Sequence, residues 1–459
     1  MAARSAPAVS GANGMASIAS EGAAPAAAAK GAAAPAADRI VALDFVRGVA
    51  LFGILLMNIT GFGLPHAYVD PTIAGGSTGA NLWAWIVIQM GFEGTQRALF
   101  SMLFGAGVIL LTARLEAAGR SDAADIYYRR NLWLIGFGMV NAFLFLWEGD
   151  ILYTYGITAL FLYPFRRLAP RALLAIGVGT LLLGALWNLK DTSDLIGKHA
   201  AWERAVAAGK AAGPEQKQAI AAWQEVLADR KPSAEKIAKD VAERRAGYGS
   251  AFLQTADSNA HFQTWYLYRY FFDVFGMMLI GMGLYKLGVL TLERPTRLYV
   301  AMALGGYAVG LATNFLEVRW ILDHAFSTIA FAQAEVSYDL GRLAMATGHL
   351  GALLLFVRSG ALPWLRDALA AVGQLALTNY LTHSVVCCFL FVGLGWFGQL
   401  ERHQLYYVVF AIWAVQLVAS PLWLRHFRFG PVEWLWRRLT YLRPQPFRRA
   451  PGTSAEVAA

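Results

Sequence analysis

Long apolar runs, separated by short polar connections, fill most of this chain from residue 40 onward. An α-helix needs about 20 consecutive apolar residues to cross a bilayer. The pattern therefore predicts an all-α membrane protein, a polytopic bundle of about ten transmembrane helices. The predicted spans lie near residues 40–62, 83–112, 131–148, 150–167, 172–189, 267–288, 297–316, 341–358, 369–395 and 405–425.

Two segments depart from this pattern. Residues 1–38 are Ala, Gly, Ser and Pro with almost no large apolar side chain, which predicts a disordered tail. Residues 190–262 are rich in helix formers, with apolar residues at three- and four-residue steps. Pro214 and Pro232 should break this segment into short helices, because proline interrupts helical hydrogen bonding. We therefore predict a helical insertion between two transmembrane halves.

Basic residues alternate along the connections between the predicted spans. Arginine and lysine follow the second, fourth, sixth and eighth spans, whereas none lies between Phe62 and Trp83 or around Asp150. Basic connections of bacterial membrane proteins stay in the cytoplasm. This alternation predicts a multi-pass protein of the bacterial inner membrane, with both termini cytoplasmic and the insertion extracytoplasmic.

The domain organisation follows from these spans. The N-terminal transmembrane half covers residues 39–189, and the C-terminal half covers residues 263–428. Residues 429–459 should form a cytoplasmic interfacial helix and tail. Pro431 suits the first helical turn, and tryptophans in this helix suit the headgroup level.

The composition agrees with a membrane protein. Only 15% of the residues are charged, 57% are hydrophobic, and the mean hydropathy is +0.44. Soluble domains carry about 25% charged residues. The net charge of +9 is spread over short connections, which indicates contact with a lipid bilayer rather than with nucleic acid.

Polar residues inside the first span are the first candidate site. Asp44 and Arg47 are three residues apart, and Asn58 lies eleven residues beyond Arg47, about three helical turns. These spacings place the three side chains along one face and allow Asp44 and Arg47 to pair. Ionisable residues in a membrane span are costly unless they pair or face a polar cavity. The pair therefore either locks helix packing or lines a path for a substrate or ion.

Other spans carry polar residues at helical spacing. Glu93, Arg97 and Ser101 follow one another at four-residue steps, which predicts an internal ion pair between the first two. Asn379 and His383 are also four residues apart. Together with the first span, these residues predict a polar cavity inside the bundle, lined by groups that could bind a substrate.

Polar residues also occur in the sixth and eighth predicted spans. Arg269 and Asp273 are four residues apart at the outer end of the sixth span and are predicted to pair. His349 stands alone in the eighth span, where a hydrogen-bonded packing histidine is the expected role. No metal site is predicted.

Five short motifs resemble those of the YeiB-like bacterial membrane proteins, the family of unknown function numbered four-eighteen. The resemblance covers most of the chain after Arg39. The motifs are Asp44 to Asn58, Phe100 to Gly105, Gly149 to Leu152, Ala376 to Leu381, and Phe429 to Arg437.

The family is similar, more distantly, to the lysosomal heparan-alpha-glucosaminide N-acetyltransferase, which moves an acetyl group from cytoplasmic acetyl-CoA to a luminal sugar. The shared signature is an Asp, an Arg-Gly three residues on, and an Asn fourteen residues past the Asp. Asp44, Arg47-Gly48 and Asn58 reproduce it. The resemblance implies that His66, in the next non-cytoplasmic loop, is the counterpart of the active-site histidine.

The implied chemistry is acyl transfer. A neutral imidazole at His66 could accept a proton from the acceptor or take the acyl group itself. Glu93 or Asp150 could orient the ring, and Arg47 could hold a phosphate or the developing thiolate. The donor would be an acyl-CoA bound between helices, since the chain has no Gly-rich phosphate loop, and the acceptor an extracytoplasmic glycan or small molecule.

Three functional hypotheses remain open at this point. The first is a transmembrane acyltransferase. The second is a transporter of a small polar or anionic solute, in which the polar residues form a permeation path. Broken helices and inverted repeats favour transport. The third is a structural or regulatory partner without activity.

Overall fold

The computed structural model describes residues 36–209 and 213–449. The predicted N-terminal tail therefore lies almost entirely outside the described residues. Within them the chain is helical, and the only strand-like pairing is one isolated bridge between Phe427 and Arg448. This confirms the all-α fold.

Fifteen α-helices occur in the described part of the chain. They are α1 (Ala36–Gly63), α2 (Gly79–Gly91), α3 (Thr95–Ala117), α4 (Ala123–Met139), α5 (Leu152–Leu160), α6 (Pro170–Ala208), α7 (Pro214–Arg230), α8 (Ala234–Arg245), α9 (Tyr248–Lys286), α10 (Thr296–Asp323), α11 (Thr328–Ser359), α12 (Pro363–Gln374), α13 (Ala376–Cys388), α14 (Arg402–His426) and α15 (Pro431–Tyr441). One π-helical turn, Val140–Leu144, extends α4, and another, Phe389–Gly393, extends α13.

Eight stretches of the described chain are long and apolar enough to cross a membrane, where the sequence predicted about ten. They are α1, α2 with α3, α6, α9, α10, α11, α13 with its π turn, and α14. The predicted spans at 131–148 and 150–167 correspond instead to the shorter helices α4 and α5. Gly138 and Gly156 let these two helices approach so closely that a Cβ at either position would meet the backbone of the other helix.

Helix α1 lies at the centre of the bundle. Its most apolar stretch is 83% buried, whereas the corresponding stretches of α6, α10 and α14 are only 17%, 28% and 28% buried. The outer helices present leucine, valine and phenylalanine outward, as helices in contact with lipid do. Polar side chains on α1 are therefore enclosed by protein rather than by lipid.

Glycines set the closest helix contacts. A Cβ at Gly48 of α1 would collide with the Leu369 carbonyl of α12, and one at Gly373 of α12 would collide with the backbone of α1. Gly105 and Gly281 allow the same close approach between α3 and α9. Small residues suit such contacts because helices in a membrane associate through packing rather than through the hydrophobic effect.

The second membrane-crossing element is broken rather than continuous. Gly94, with φ of +65°, separates α2 from α3. The break leaves carbonyls at the end of α2 without helical partners. Asn314 donates a hydrogen bond of 2.8 Å to the Met90 carbonyl, and His349 Nε2 donates one of 2.9 Å to the Gly91 carbonyl. His349 is thus a hydrogen-bonded packing histidine, as predicted.

Helices α6 and α9 each run for 39 residues and continue past the predicted ends of their spans. The two helices α7 and α8 connect them. Pro214 opens α7 and Pro232 lies between α7 and α8, so the two prolines mark the breaks that the sequence predicted. Trp223 of α7 packs with Leu195 of α6 and Ala332 of α11, which anchors the insertion on the bundle.

The C-terminal helix α15 is bound to the bundle. Pro431 occupies its first turn, and the Glu433 carboxylate accepts hydrogen bonds from the Thr378 amide and hydroxyl at the start of α13. Trp436 Nε1 donates a hydrogen bond of 2.8 Å to the Arg130 carbonyl. Helix α15 therefore ties α13 to α4.

Candidate functional site

Charged side chains from three helices meet inside the bundle. The Asp273 carboxylate of α9 lies 3.1 Å from Nε of Arg97 on α3 and 2.5 Å from Nη1 of Arg342 on α11. A second contact of 2.6 Å joins Arg342 to Asp339 one turn earlier. The Arg342 side chain is only 2% exposed. A buried charge of this kind requires its partners, because desolvation without compensation is costly.

Glu93 completes this group. It lies in the break between α2 and α3, beside Tyr338, Arg97 and Arg342. The group of Glu93, Arg97, Asp273, Asp339 and Arg342, called the charged cluster below, holds one more carboxylate than guanidinium.

Aromatic rings line the charged cluster. The Arg97 guanidinium lies 4.9 Å above the Tyr270 ring, and that of Arg342 lies 5.3 Å from the Tyr338 ring. Such contacts attract a cation to the face of the ring. The rings and the ion pairs together fix the positions of both guanidinium groups.

Ser101 and Tyr155 lie next to this cluster. Their hydroxyls are 2.6 Å apart, and the Tyr155 hydroxyl also donates to the Arg97 carbonyl at 3.1 Å. Ser101 therefore belongs to the buried polar region, and its hydroxyl is already hydrogen-bonded to that of Tyr155.

Two predicted ion pairs are wrong. Arg269 does not pair with Asp273. It reaches Asp191 at 2.8 Å and Asn188 at 2.6 Å on the extended α6, because Asp273 turns inward to the two guanidiniums of the charged cluster.

The predicted direct pair of Glu93 with Arg97 also fails. Thr95 is the first residue of α3, and Gly94 ends the helical register, so Glu93 and Arg97 are not one turn apart on a common helix. The carboxylate paired with Arg97 is that of Asp273, which comes from α9.

Asp44 and Arg47 do pair, at 2.7 Å, as their spacing predicted. Arg47 also lies 3.5 Å from the Gly373 carbonyl of α12. Asn58, farther along α1, is half-buried, and within the described residues its side chain makes no hydrogen bond to protein. Its amide is therefore available to a ligand.

His66 lies in the loop that follows α1, at the end of the helix opposite Asp44. Its Nε2 is 2.7 Å from the Asp240 carboxylate of α8, and a third of its side chain is exposed. The residue has φ of +52°, a left-handed conformation that is uncommon outside glycine and often marks functional sites. The acid that orients the ring is thus Asp240, and not Glu93 or Asp150 as predicted.

Asp150 is fully buried in the hairpin of α4 and α5. It accepts hydrogen bonds of 2.7 Å from Asn141 and 2.9 Å from the Tyr153 amide, and the Tyr380 hydroxyl lies 3.5 Å away. These contacts join the hairpin to α13. The two shorter hydrogen bonds of Asp150 are thus made within the hairpin, whereas the His66 ring is bound to Asp240.

Tyr68 connects the loop of His66 with the charged cluster. It lies two residues after His66 and close to Glu93 and Arg97, and it remains 39% exposed. The loop after α1 therefore touches both the exposed histidine and the buried charges.

Asn379 and His383 form a third polar network. His383 Nε2 lies 3.0 Å from Gln416 Oε1, and Asn379 donates to Ser420 at 3.2 Å and to the Val372 carbonyl at 3.1 Å. The two residues share a helix face, as predicted, and their hydrogen bonds tie α13 to α14 and α12.

Two clefts lie near these groups. A narrow one of about 30 Å³, beside the charged cluster, is lined by α6, α9 and α11 and includes Asn188, Arg269, Asp273 and Asp339. A larger apolar one of about 340 Å³ lies between the π turns of α4 and α13, with Leu144, Phe389 and Cys388 in its wall. Neither cleft connects His66 with Arg47.

Sequence reasoning missed Asp240, Asp339 and Arg342. Asp339 and Arg342 are three residues apart in one helix, a spacing that would have indicated a pair. Asp240 gave no such signal, because it is one of many charges in a polar insertion.

The fold and its buried polar groups define a polytopic helical membrane protein. The chain belongs to the YeiB-like family: it is 32% identical to the uncharacterized protein YeiB of Escherichia coli (strain K12) over 415 residues, 88% of this chain and 96% of that protein. It is also 29% identical to the uncharacterized protein YxaH of Bacillus subtilis (strain 168) over 423 residues, 90% and 96% of the two chains.

The family model described as a protein of unknown function, DUF418, matches residues 284–443. A further relative is the uncharacterized 39.9 kDa protein in the amylase 3′ region of Bacillus acidopullulyticus, 25% identical over 412 residues, 89% of this chain and 96% of that protein. No solved structure matches the chain. These relatives identify a bacterial membrane protein of a family without an assigned function.

Proposed function

We propose that this protein is a transmembrane acyltransferase that moves an acyl group from a cytoplasmic acyl-CoA to an extracytoplasmic acceptor, a glycan or a small molecule. The contact between His66 and Asp240 is the observation that carries the proposal. At 2.7 Å, the carboxylate can hold the Nε2–H tautomer, which leaves Nδ1 as a free base. A third of the His66 side chain is exposed, so an acceptor can reach the ring.

The reaction needs one base and one proton donor. Nδ1 of His66 would take the proton from the acceptor hydroxyl or amine as its oxygen or nitrogen bonds to the acyl carbon. The carbon–sulfur bond of the thioester would then break, and the proton would pass to the leaving thiolate. A positioned base of this kind typically contributes about 10²–10⁴-fold in rate.

Helix α1 joins the two regions where the donor and the acceptor are proposed to bind. Helix α1 has His66 after its last residue and the Asp44–Arg47 pair near its beginning, with Asn58 between them. The arrangement of Asp44, Arg47 and Asn58 is also the signature that resembles the heparan acetyltransferase. We place the phosphate end of the donor near Arg47, and its thioester together with the acceptor near His66, where the acyl carbon and the base must meet.

Membrane vesicles of known orientation test the proposal. We expect radiolabelled acetyl-CoA, supplied on the cytoplasmic side, to give an acylated product on the other side in membranes that contain the protein. His66→Ala should abolish the product, and Asp240→Asn should reduce it. The matched control is His324→Ala, which changes an exposed histidine whose Nδ1 lies 2.9 Å from the Trp320 carbonyl one turn earlier in the chain. Undiminished transfer by His66→Ala would remove the histidine from the mechanism.

Transport is a second candidate, and the broken helices favour it. Helices α2 and α3 are interrupted at Gly94, and α12 and α13 meet at Leu375. Discontinuous helices with charged groups at the break form substrate sites in many transporters. Transport would appear as solute uptake by vesicles that Arg97→Gln abolishes and His66→Ala leaves unchanged.

A further inference from the structure

Arginines from four helices and one connection gather around the beginning of α1. Arg130 of α4 is close enough to repel both Arg437 of α15 and Arg47 of α1. Arg437 is in turn near Arg114 of α3 and near Arg428, which follows α14. We call these five residues the arginine cluster.

Aromatic rings hold two of these guanidinium groups in place. The Arg130 guanidinium lies 3.6 Å from the centre of the Trp436 ring, and that of Arg437 lies 4.3 Å from the Phe429 ring. Stacking on a ring occupies the face of the guanidinium plane and leaves its edge, with the N–H groups, free to donate. The two stacked arginines are therefore prepared for an acceptor group that offers two oxygens to one guanidinium.

The nearby carboxylates are already engaged. Asp44 is bound by Arg47 at 2.7 Å. Glu433 is near Arg437, but its two oxygens accept hydrogen bonds from the amide and hydroxyl of Thr378. Apart from Arg47, the members of the arginine cluster have no ion pair in the described part of the chain.

The arrangement carries an electrostatic cost. Burial, with the repulsion of Arg437 and Arg47, lowers the pKa of Arg130 to about 10. Burial and the neighbouring Arg114 and Arg428 also lower the pKa of Arg437. Both groups remain charged at neutral pH, so the cluster sets five arginines against only the two carboxylates of Asp44 and Glu433.

We propose that the arginine cluster binds the phosphate groups of a ligand. Phosphate carries the charge that the cluster requires, and its oxygens accept paired hydrogen bonds from a guanidinium fork. The inference deepens the proposed function, since it assigns the place where the nucleotide phosphates of an acyl-CoA bind. Arg47 would connect this place with α1, whose last residue, Gly63, is followed by the loop that carries His66.

A binding experiment tests the site without requiring turnover. Purified protein in nanodiscs of phosphatidylcholine is titrated with adenosine 3′,5′-bisphosphate, the phosphorylated part of CoA, and with adenosine as the uncharged comparison. We expect the bisphosphate to bind and adenosine not to bind. Arg130→Gln and Arg437→Gln should each weaken binding about tenfold or more, because each removes charge-assisted hydrogen bonds.

Arg120→Gln is the matched control. Arg120 lies in the connection between α3, which carries Arg114, and α4, which carries Arg130, but it is already bound to Asp122 at 2.5 Å. Its loss should leave the affinity unchanged. Arg130→Lys keeps the charge without the fork and should bind with intermediate affinity, which separates a lost ligand contact from misfolding.

A lipid headgroup offers the same phosphate chemistry, and a second arm distinguishes it. Native mass spectrometry of protein from nanodiscs with phosphatidylglycerol would reveal retained anionic lipid. If the wild type retains the lipid, both glutamine variants lose it, and the bisphosphate does not bind, the phosphate site is supported. Its ligand is then a lipid headgroup and not the acyl-CoA donor. The site is overturned if the two variants bind the bisphosphate and the lipid as well as the wild type does. It is also overturned if the wild type binds neither.

The outcomes also separate this inference from the proposed function. Bisphosphate binding that depends on Arg130 and Arg437, without any acyl transfer, leaves the site standing and overturns the enzyme. If instead both glutamine variants transfer the acyl group with the same dependence on acetyl-CoA concentration as the wild type, the enzyme stands and the phosphate site is overturned.

Discussion

Arg342 shows how individual charges are tolerated inside this bundle. Its guanidinium contacts Asp273 and Asp339 at 2.5 and 2.6 Å, and only 2% of the side chain is exposed. Asp273 is shared with Arg97, so the loss of one member affects the others. The charged cluster is therefore a unit in which each group except Glu93 is paired with at least one opposite charge.

We expect Arg342→Gln to destabilise the protein by roughly 3–5 kcal/mol, because it strands buried carboxylates. The measurement is thermal unfolding of the purified protein in detergent, together with the folded yield. Arg319→Gln is the control. Arg319 pairs with Asp323 on the surface, with 65% of its side chain exposed, and an exposed pair contributes about 0–1 kcal/mol. Equal stability of the two variants would contradict a buried network.

Local spacing predicted residue contacts only where one helix holds both partners. Asp44 and Arg47 lie within α1, and their pair follows from three-residue spacing. Asp273 is instead turned to arginines on α3 and α11, so no local rule could identify its partners. The contact of His66 with Asp240 joins residues 174 positions apart, and only the packing of α8 creates it.

Helix contacts depend on small residues rather than on side-chain volume. Gly48 and Gly373 bring the backbones of α1 and α12 together beside the Asp44–Arg47 pair. The long apolar runs predicted α1 and a single span over most of α2 and α3. They did not predict the break at Gly94, since an isolated glycine also occurs within continuous helices.

We expect Gly48→Ala and Gly373→Ala each to destabilise the bundle by about 1–3 kcal/mol, because the new methyl group would meet backbone atoms that cannot move aside. Thermal unfolding of the purified variants measures the effect. Gly179→Ala in α6 is the matched control, since a Cβ there has no neighbour within 4 Å. Alanine favours a helix over glycine, so this control should be unchanged or more stable. A loss of stability in all three would show general sensitivity and not close packing.

The connections of the chain gather at two ends of the molecule. At one end, Arg402 donates to the Ala67 carbonyl at 2.6 Å, and Asn81 donates to Glu401 at 2.8 Å. At the other end, Arg129 donates to the Thr440 carbonyl at 2.9 Å, and Arg166 contacts Glu116 at 3.2 Å. These contacts join the connection after α1 with the one before α14 at one end, and arginine-rich segments with one another at the other.

The positive-inside rule then predicts the orientation of the whole molecule. In a background with both native cysteines replaced, we expect Thr78→Cys and Lys217→Cys to react with a membrane-impermeant thiol reagent in intact cells. Ala118→Cys should react only after permeabilisation. All three positions are exposed on the protein surface, so accessibility within the fold does not decide the result. Labelling of Ala118→Cys in intact cells would reverse the orientation and place the arginine cluster on the side without acyl-CoA.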